Sequence, residues 1–335
     1  MKEKQTAYPI DFVIPWVDGS DPQWQKLRSR YTGDPSQIRE AQYREWGLLK
    51  YWFRSVEKYA PWVNRIHFVT CGQIPDWLNR AHPKLHCVDH RAYIPEAYLP
   101  TFSSHSIELN LHRIPGLAEH FVYFNDDMFL NGPVTEEDFF IRGLPRESAV
   151  LQILSPVDIT DPFGHVLWND MALINKHFRK REVLTGSWHK WYHPVYGKQL
   201  FRNLYCTPGS RFSLLYNFHI ASSMRKSTFE EVWKLEPEIL DRTCRNRFRT
   251  GQDVNQYLVS WYNLCKGEFI PRRADFGQYY MIGQNTEKLC RDILAHKHKI
   301  ICVNDDPGLI LWETERKRLL KVFETAFPGR SEYEK

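Results

Sequence analysis

Nothing in this sequence marks it for export or for a membrane span. The opening residues "MKEKQTAYPID" carry no apolar core, so no secretory signal peptide is expected. No stretch approaches the ~20 consecutive apolar residues of a membrane span. The 7 cysteines are odd in number and scattered, with no CxxC spacing. That excludes a disulfide framework and points to reduced thiols in a cytosolic protein. GxGxxG, Walker A, GxSxG and HExxH are all missing, which argues against dinucleotide dehydrogenases, P-loop enzymes, α/β-hydrolases and zinc proteases. Two histidine pairs have i, i+4 spacing, His86/His90 and His189/His193, but neither has a neighbouring thiolate pair. The net charge of +5 is small and dispersed. It predicts no nucleic-acid partner, and it suits anionic substrates and a peripheral membrane contact.

What is present is ordinary globular material: 335 residues, 42% hydrophobic and 25% charged, enough for one large α/β domain or two modest ones. Aromatics are high at 15%, with 12 Trp, which serves either a bulky core or stacking on sugars and bases.

The first 130 residues alternate in period. "PIDFVIPWV" (9–17) reads as a strand ended by Asp18-Gly19. Apolar positions at helical spacing follow within 40–59, up to Pro61. "RIHFVT" (65–70), "KLHCVD" (84–89) and "HFVYFNDD" (120–127) read as further strands. "SSHSIELNLHRI" (103–114) reads as a helix with Ser104 near its N-cap and Glu108 in its first turn. This order predicts a doubly wound, mostly parallel sheet whose ligands collect beyond the carboxyl ends of the strands. The middle, about 141–227, is rich in Trp, Tyr, His and Pro, shows few clean periods, and is expected to line or cover the site. Beyond it, 228–242 and 253–265 read as helices, the second with Asp253 at its start. "HKIICVNDD" reads as a late strand and "WETERKRLLKVFETAF" as a closing helix.

Two strands thus end in Asn-Asp-Asp, at 125–127 and 304–306. Carboxylate and amide oxygens at a strand end suit a hard divalent cation, and two such ends could face one metal–diphosphate. Asn and Asp also serve plain turn chemistry at such junctions. Glu108 reads equally as a helix-dipole partner and His219 as a core histidine. Arg247 and Arg249 in "NRFRTGQD" read as a phosphate clamp or an exposed basic edge.

Longer stretches are more specific. "DFVIPWVDGSDPQW", "REWGLLKYWFRSVEKYAPWVNRIHFVTCGQIPDWLN" and "LPTFSSHSIELNLHRIPGLAEHFVYFNDDMF" resemble the first two signature blocks of the Stealth family. "FHIASSMRKSTFEEVW" through "CRNRFRTGQDVNQY" resembles its third and "IICVNDD" its fourth, in order, over about residues 10–306. The family comprises bacterial sugar-1-phosphate transferases of capsular and surface glycans and the animal GlcNAc-1-phosphotransferase. The chain resembles the compact bacterial members.

The resemblance implies a single catalytic domain over 1–335. Within it, about 9–140 is a nucleotide-binding half of Rossmann-like type, 141–227 an irregular cover, and 228–330 a helical part returning to the site. It implies attack of an acceptor sugar hydroxyl on the β-phosphate of a nucleotide sugar, usually UDP-linked, with release of UMP. The acceptor would be an oligosaccharide or lipid-linked glycan, and the location cytoplasmic or at the inner face of the cell membrane. By motif position the essential residues fall on Glu108, Asp127, His219 and Arg249. Animal members carry a His-Met stretch where this chain reads "HIASSM", so His219 is placed by the histidine and by "KSTFEEV" downstream. Asp18, Gly19, Arg44, Ser104 and Asp253 are expected at the donor. Asp127, Asn304 and Asp305 are expected on Mg²⁺ or Mn²⁺. The rival readings are a metal-dependent glycosyltransferase that releases UDP, and a glycan-binding module built on the central Trp/Tyr cluster.

Overall fold

The computed structural model describes residues 8–32, 43–155, 162–306 and 308–335. Its main sheet is laid down early in the chain. Strands β1 (Ile10–Pro15), β2 (Ile66–Thr70), β3 (Leu85–Asp89) and β4 (His120–Tyr123) are mutually parallel, and the later β6 (Ser222–Arg225) adds an antiparallel edge. The order across the sheet is β6-β4-β1-β2-β3. This is the mixed α/β architecture, rich in parallel strands, that the periodicity predicts.

Strand side chains alternate between two apolar layers. Phe12, Ile14, Phe68, Val122 and Phe124 join one core cluster, whereas Val13, Val69, Phe121 and Tyr123 join the other. Burial on both faces explains why these strands read as continuous apolar runs. The helix Leu49–Tyr59 buries Trp52, Phe53 and Val56 completely against the first layer. It stops at Tyr59, two residues before Pro61, where a continuing turn would meet the proline ring.

A second sheet carries the late strand. β5 (Met128–Leu130) pairs antiparallel with β8 (Ile300–Asn304), and β8 pairs parallel with β7 (Gly277–Met281). Cys302 lies opposite Met128, and Val303 N–H donates to the Asp127 carbonyl at 2.8 Å. The two Asn-Asp-Asp ends are therefore neighbours through backbone pairing.

Several elements differ from expectation. The helix at 103–114 is only Ser104–Leu109, followed by a 3₁₀ turn, so Glu108 sits near its end and not in its first turn. Residues 228–242 fall in two helices, Lys226–Leu235 and Pro237–Arg245, because proline is tolerated only at a helix start. Asp253 precedes its helix, Tyr257–Lys266, by four positions. The middle segment contains a regular helix, Pro162–His177, that buries Val166, Leu167, Met171 and Ile174.

At the opposite end of the main sheet from the strand tips, Asp11 and His67 are wholly buried. Asp11 bonds His67 Nε2 (2.9 Å), Asn64 Nδ2 (2.7 Å) and the Ala118 N–H (2.8 Å). Burial is the largest single influence and pushes its pKa up, but these bonds together outweigh it and hold the carboxyl below its ordinary range. A lowered folded pKa contributes stability that is present above the unfolded value and lost as pH falls through the folded one. Asp11→Asn should therefore cost about 2 kcal/mol at neutral pH. In urea melts the gap from wild type should narrow below about pH 4. A gap that stays constant down to acid pH would show that the charge is irrelevant.

Candidate active site

Beyond the carboxyl ends of β1, β4 and β8 opens a cleft of about 950 Å³. Trp16, Trp24, Tyr43 and Trp46 line it, as do Tyr216 and Phe218 from the segment after Leu214. A shallower hollow of about 420 Å³ beside His112 and Trp233 has no comparable gathering of groups.

The chain turns sharply after β4, and this turn sets the chemistry of the cleft. Asp127 bonds the Cys302 thiol through Oδ2 at 3.3 Å, and the same oxygen lies 3.7 Å from His219 Nε2. Asp127, His219 and Cys302 could together surround an ion. The Cys302 thiol is held protonated, since burial first and the Asp127 charge second push its pKa well up. It acts as a donor to Asp127 and is a poor ligand for a hard cation. Asp127 Oδ1 is buried with no hydrogen-bond partner among the described residues. An orphaned carboxylate oxygen of this kind fits a divalent cation. Asn304 commits its amide nitrogen to Tyr279 Oη (2.8 Å) and to the Asp305 carbonyl (3.1 Å), which leaves its oxygen for a ligand.

Asp126, inside the first Asn-Asp-Asp, is exposed, and its side chain opens onto the cleft. Its pKa is pushed up to about 7, first by the water that the cleft walls displace from around it and then by the charges of Asp127 and Glu45. Glu45 is itself raised, chiefly by burial, and accepts from Trp16 Nε1 (2.9 Å) and the Gly47 N–H (2.5 Å). The cleft thus concentrates negative charge that a cation would relieve.

His219 reaches the cleft from a left-handed backbone (φ 48°), a conformation that disfavours any side chain bearing a Cβ and that clusters at functional sites. Its N–H donates to Asn217 Oδ1 at 2.8 Å, and its Nδ1 lies 2.9 Å from Tyr257 Oη. When Nδ1–H donates to the tyrosine oxygen, Nε2 is the acceptor facing Asp127. Burial pushes the Tyr257 hydroxyl well up, so it stays protonated.

Glu108 is 5% exposed and lines the cleft. Tyr123 Oη lies 3.0 Å from Glu108 Oε1 and 2.5 Å from the Asn125 amide. With one proton on that hydroxyl, donation to Glu108 is satisfied if Asn125 turns its NH₂ toward the tyrosine. Arg249 is exposed to the cleft and donates from Nη2 to Ser104 Oγ at 2.7 Å. Glu108, Asp127, His219 and Arg249, which the resemblance selected, therefore meet in one cleft, with Ser104 beside them.

Three of the other expected donor residues, Asp18, Gly19 and Asp253, do not line the cleft, although Val17 does. Asp18 closes a turn onto Ser20, and a Cβ on Gly19 would stand 2.1 Å from the Tyr43 carbonyl, so this glycine lets the Tyr43 wall close in. Asp253 is fully buried away from the cleft. It bonds His105 Nδ1, Asn246, and both the N–H and the hydroxyl of Thr250, and so orders the loop that presents Arg249. Arg44 and Asp305 both line the cleft and pair with each other at 3.1 Å, and the Arg44 guanidinium stacks on Trp312.

Comparison with known proteins follows the same outline. Residues 8–35 match the model of Stealth protein CR1, conserved region 1, and residues 42–146 that of Stealth protein CR2, conserved region 2. A capsular polysaccharide phosphotransferase, WcwK, of Streptococcus pneumoniae is 39% identical over 97% of this chain and 98% of its own. An exopolysaccharide phosphotransferase, cps2G, of Lactiplantibacillus plantarum is 42% identical over 98% and 97%. A receptor polysaccharide phosphotransferase, WefC, of Streptococcus gordonii is 37% identical over 97% and 98%. Among solved structures, the galactosyltransferase LgtC with donor and acceptor sugar analogues aligns over 96% of this chain and 98% of its own, at 10% identity and a TM-score of 0.41.

Proposed function

The chain belongs to the Stealth family of sugar phosphotransferases, and from that premise we propose that it moves a sugar-1-phosphate from a UDP-linked sugar to a glycan hydroxyl during capsular or exopolysaccharide synthesis. The observation that carries this reading is the convergence of Glu108, Asp127, His219 and Arg249 in one cleft at the strand ends. A volume of about 950 Å³ with aromatic walls suits a nucleotide sugar together with part of an acceptor.

In this mechanism the acceptor oxygen forms a bond to the β-phosphorus while the bond from that phosphorus to the bridging oxygen breaks. UMP leaves with the bridging oxygen. The acceptor proton passes to His219 Nε2, whose ring is held by Tyr257 at the opposite nitrogen. Arg249, steadied by Ser104, clamps the phosphoryl oxygens as they gain charge. Glu108 is fixed by Tyr123 and touches no part of His219's hydrogen-bonding, so its role falls to the donor sugar. Asp127 and Asn304 would hold the divalent cation, with Asp305 beside them on Arg44. Bound there, Mg²⁺ or Mn²⁺ supplies neutralisation of diphosphate charge.

The test is incubation with a panel of UDP-sugars and Mg²⁺ or Mn²⁺. UMP release and a phosphodiester resonance in the phosphorus NMR spectrum of the product are expected. UDP release with a glycosidic product would instead establish the glycosyltransferase reading. Arg249→Lys separates clamp from charge. A point charge cannot reproduce a bidentate fork, so kcat/KM should fall by about 10²-fold and calorimetry should show weaker binding of intact UDP-sugar. Full activity in the lysine variant would remove the clamp.

A further inference from the structure

Near the rim of the cleft, the helix Leu200–Cys206 is held to the body through a buried residue, Asn203. Asn203 accepts from the Leu151 N–H at 2.6 Å and donates to the carbonyls of Ala149 at 2.8 Å and Trp191 at 2.5 Å. Phe201, Leu204 and Tyr205 share the other face at i, i+3 and i+4 spacing. They are 73%, 56% and 75% exposed. Three large apolar side chains side by side on a pinned helix mark a contact surface.

The charge around this helix says what the contact is. No Asp or Glu occurs between Glu182 and Glu230, whereas Lys190, Lys198, Arg202, Arg211, Arg225 and Lys226 do. Of these, Lys198, Arg202 and Arg211 lie within a few residues of the helix or in it, and all three are exposed. The local excess of positive charge stands out in a chain whose total is only +5.

We propose that this face docks on the surface of an anionic lipid bilayer. Phenylalanine, leucine and tyrosine from one helical stripe enter the headgroup boundary, where aromatic rings partition well. The flanking lysine and arginines meet the negative surface potential. A second copy of the chain would instead set cations against cations across a two-fold axis. Docking also orients the cleft. The Arg202 guanidinium lies 4.9 Å over the Tyr216 ring, and Tyr216 lines the cleft, so the rim of the cleft comes to rest at the lipid surface.

Vesicle flotation with the full chain tests the proposal, using phosphatidylcholine vesicles with and without about one-third phosphatidylglycerol. Wild type should float with the anionic vesicles, leave them as salt is raised, and ignore the neutral ones. The triple variant Phe201→Ser, Leu204→Ser, Tyr205→Ser should bind about 10-fold less while keeping a cooperative thermal unfolding transition, since these side chains are mostly exposed. Lys198→Glu with Arg211→Glu should abolish the preference for anionic vesicles. Failure of wild type to bind anionic vesicles would overturn the proposal, as would undiminished binding by the triple variant. A wild-type dimer that the triple variant converts to monomer would assign the face to a second copy and overturn it equally.

Discussion

Asp127→Asn should reduce sugar-phosphate transfer by about 10³-fold or more at saturating Mg²⁺ while leaving the fold intact. The substitution is isosteric, and its amide oxygen still accepts from the Cys302 thiol. What disappears is the negative charge at an oxygen that is buried without a partner among the described residues. The same change should slightly stabilise the protein. Asp126 is pushed up to about 7 by water displaced in the cleft and then by the charges of Asp127 and Glu45, so removing one carboxylate relieves repulsion there. The melting temperature should therefore rise slightly. Activity lost with stability gained is the signature of a site that holds like charges together for function. A variant with more than a tenth of the wild-type rate, or wild-type activity in excess chelator, would remove Asp127 and the cation from the reaction.

His219→Ala should lower kcat by about 10²–10⁴-fold with nearly normal donor binding in calorimetry. In the proposed mechanism the imidazole contributes a proton acceptor, and Arg249 holds the donor's phosphates elsewhere. The limb of the pH–rate profile that reports the base should vanish from the residual activity. Tyr257→Phe provides the graded comparison. It deletes the oxygen 2.9 Å from Nδ1 and leaves the imidazole in place, so its effect should be smaller and of the same kind. Wild-type kcat in His219→Ala would return this residue to a structural role, and its left-handed backbone would then need another explanation.

The strands and their chemically active ends were readable because both faces of β1, β2 and β4 are buried, so each appears as an unbroken apolar run followed by polar residues. The repeated Asn-Asp-Asp was readable for the same reason, and β5 and β8 do bring the two copies together. The selection of Glu108, Asp127, His219 and Arg249 came from family resemblance, since no periodicity links residues so far apart. Contacts across the chain were not legible. Nothing local announces that Arg44 pairs with Asp305, that Cys302 donates to Asp127, or that Asp253 serves the loop around Thr250. Cys302 stands two positions before the second Asn-Asp-Asp, and Asp126 stands inside the first. Adjacency to those motifs was the available signal for both. The helix Pro162–His177 was missed because it opens with Pro and Gly in a stretch crowded with aromatics.

The antiparallel pairing of β5 with β8 also bears on how the enzyme comes into being on the ribosome. Asp127 and Cys302 are 175 positions apart. At ordinary translation rates the partner strand leaves the ribosome roughly 10–35 s after Asp127 does. Through that interval the parallel strands can already close on one another, but the edge at Met128–Leu130 has nothing to pair with and stays available to other nascent chains. The aspartate likewise lacks its thiol donor and its facing asparagine. A half-made chain can therefore pair its early parallel strands while the proposed cation site is still incomplete, and that site closes only when the late strand docks.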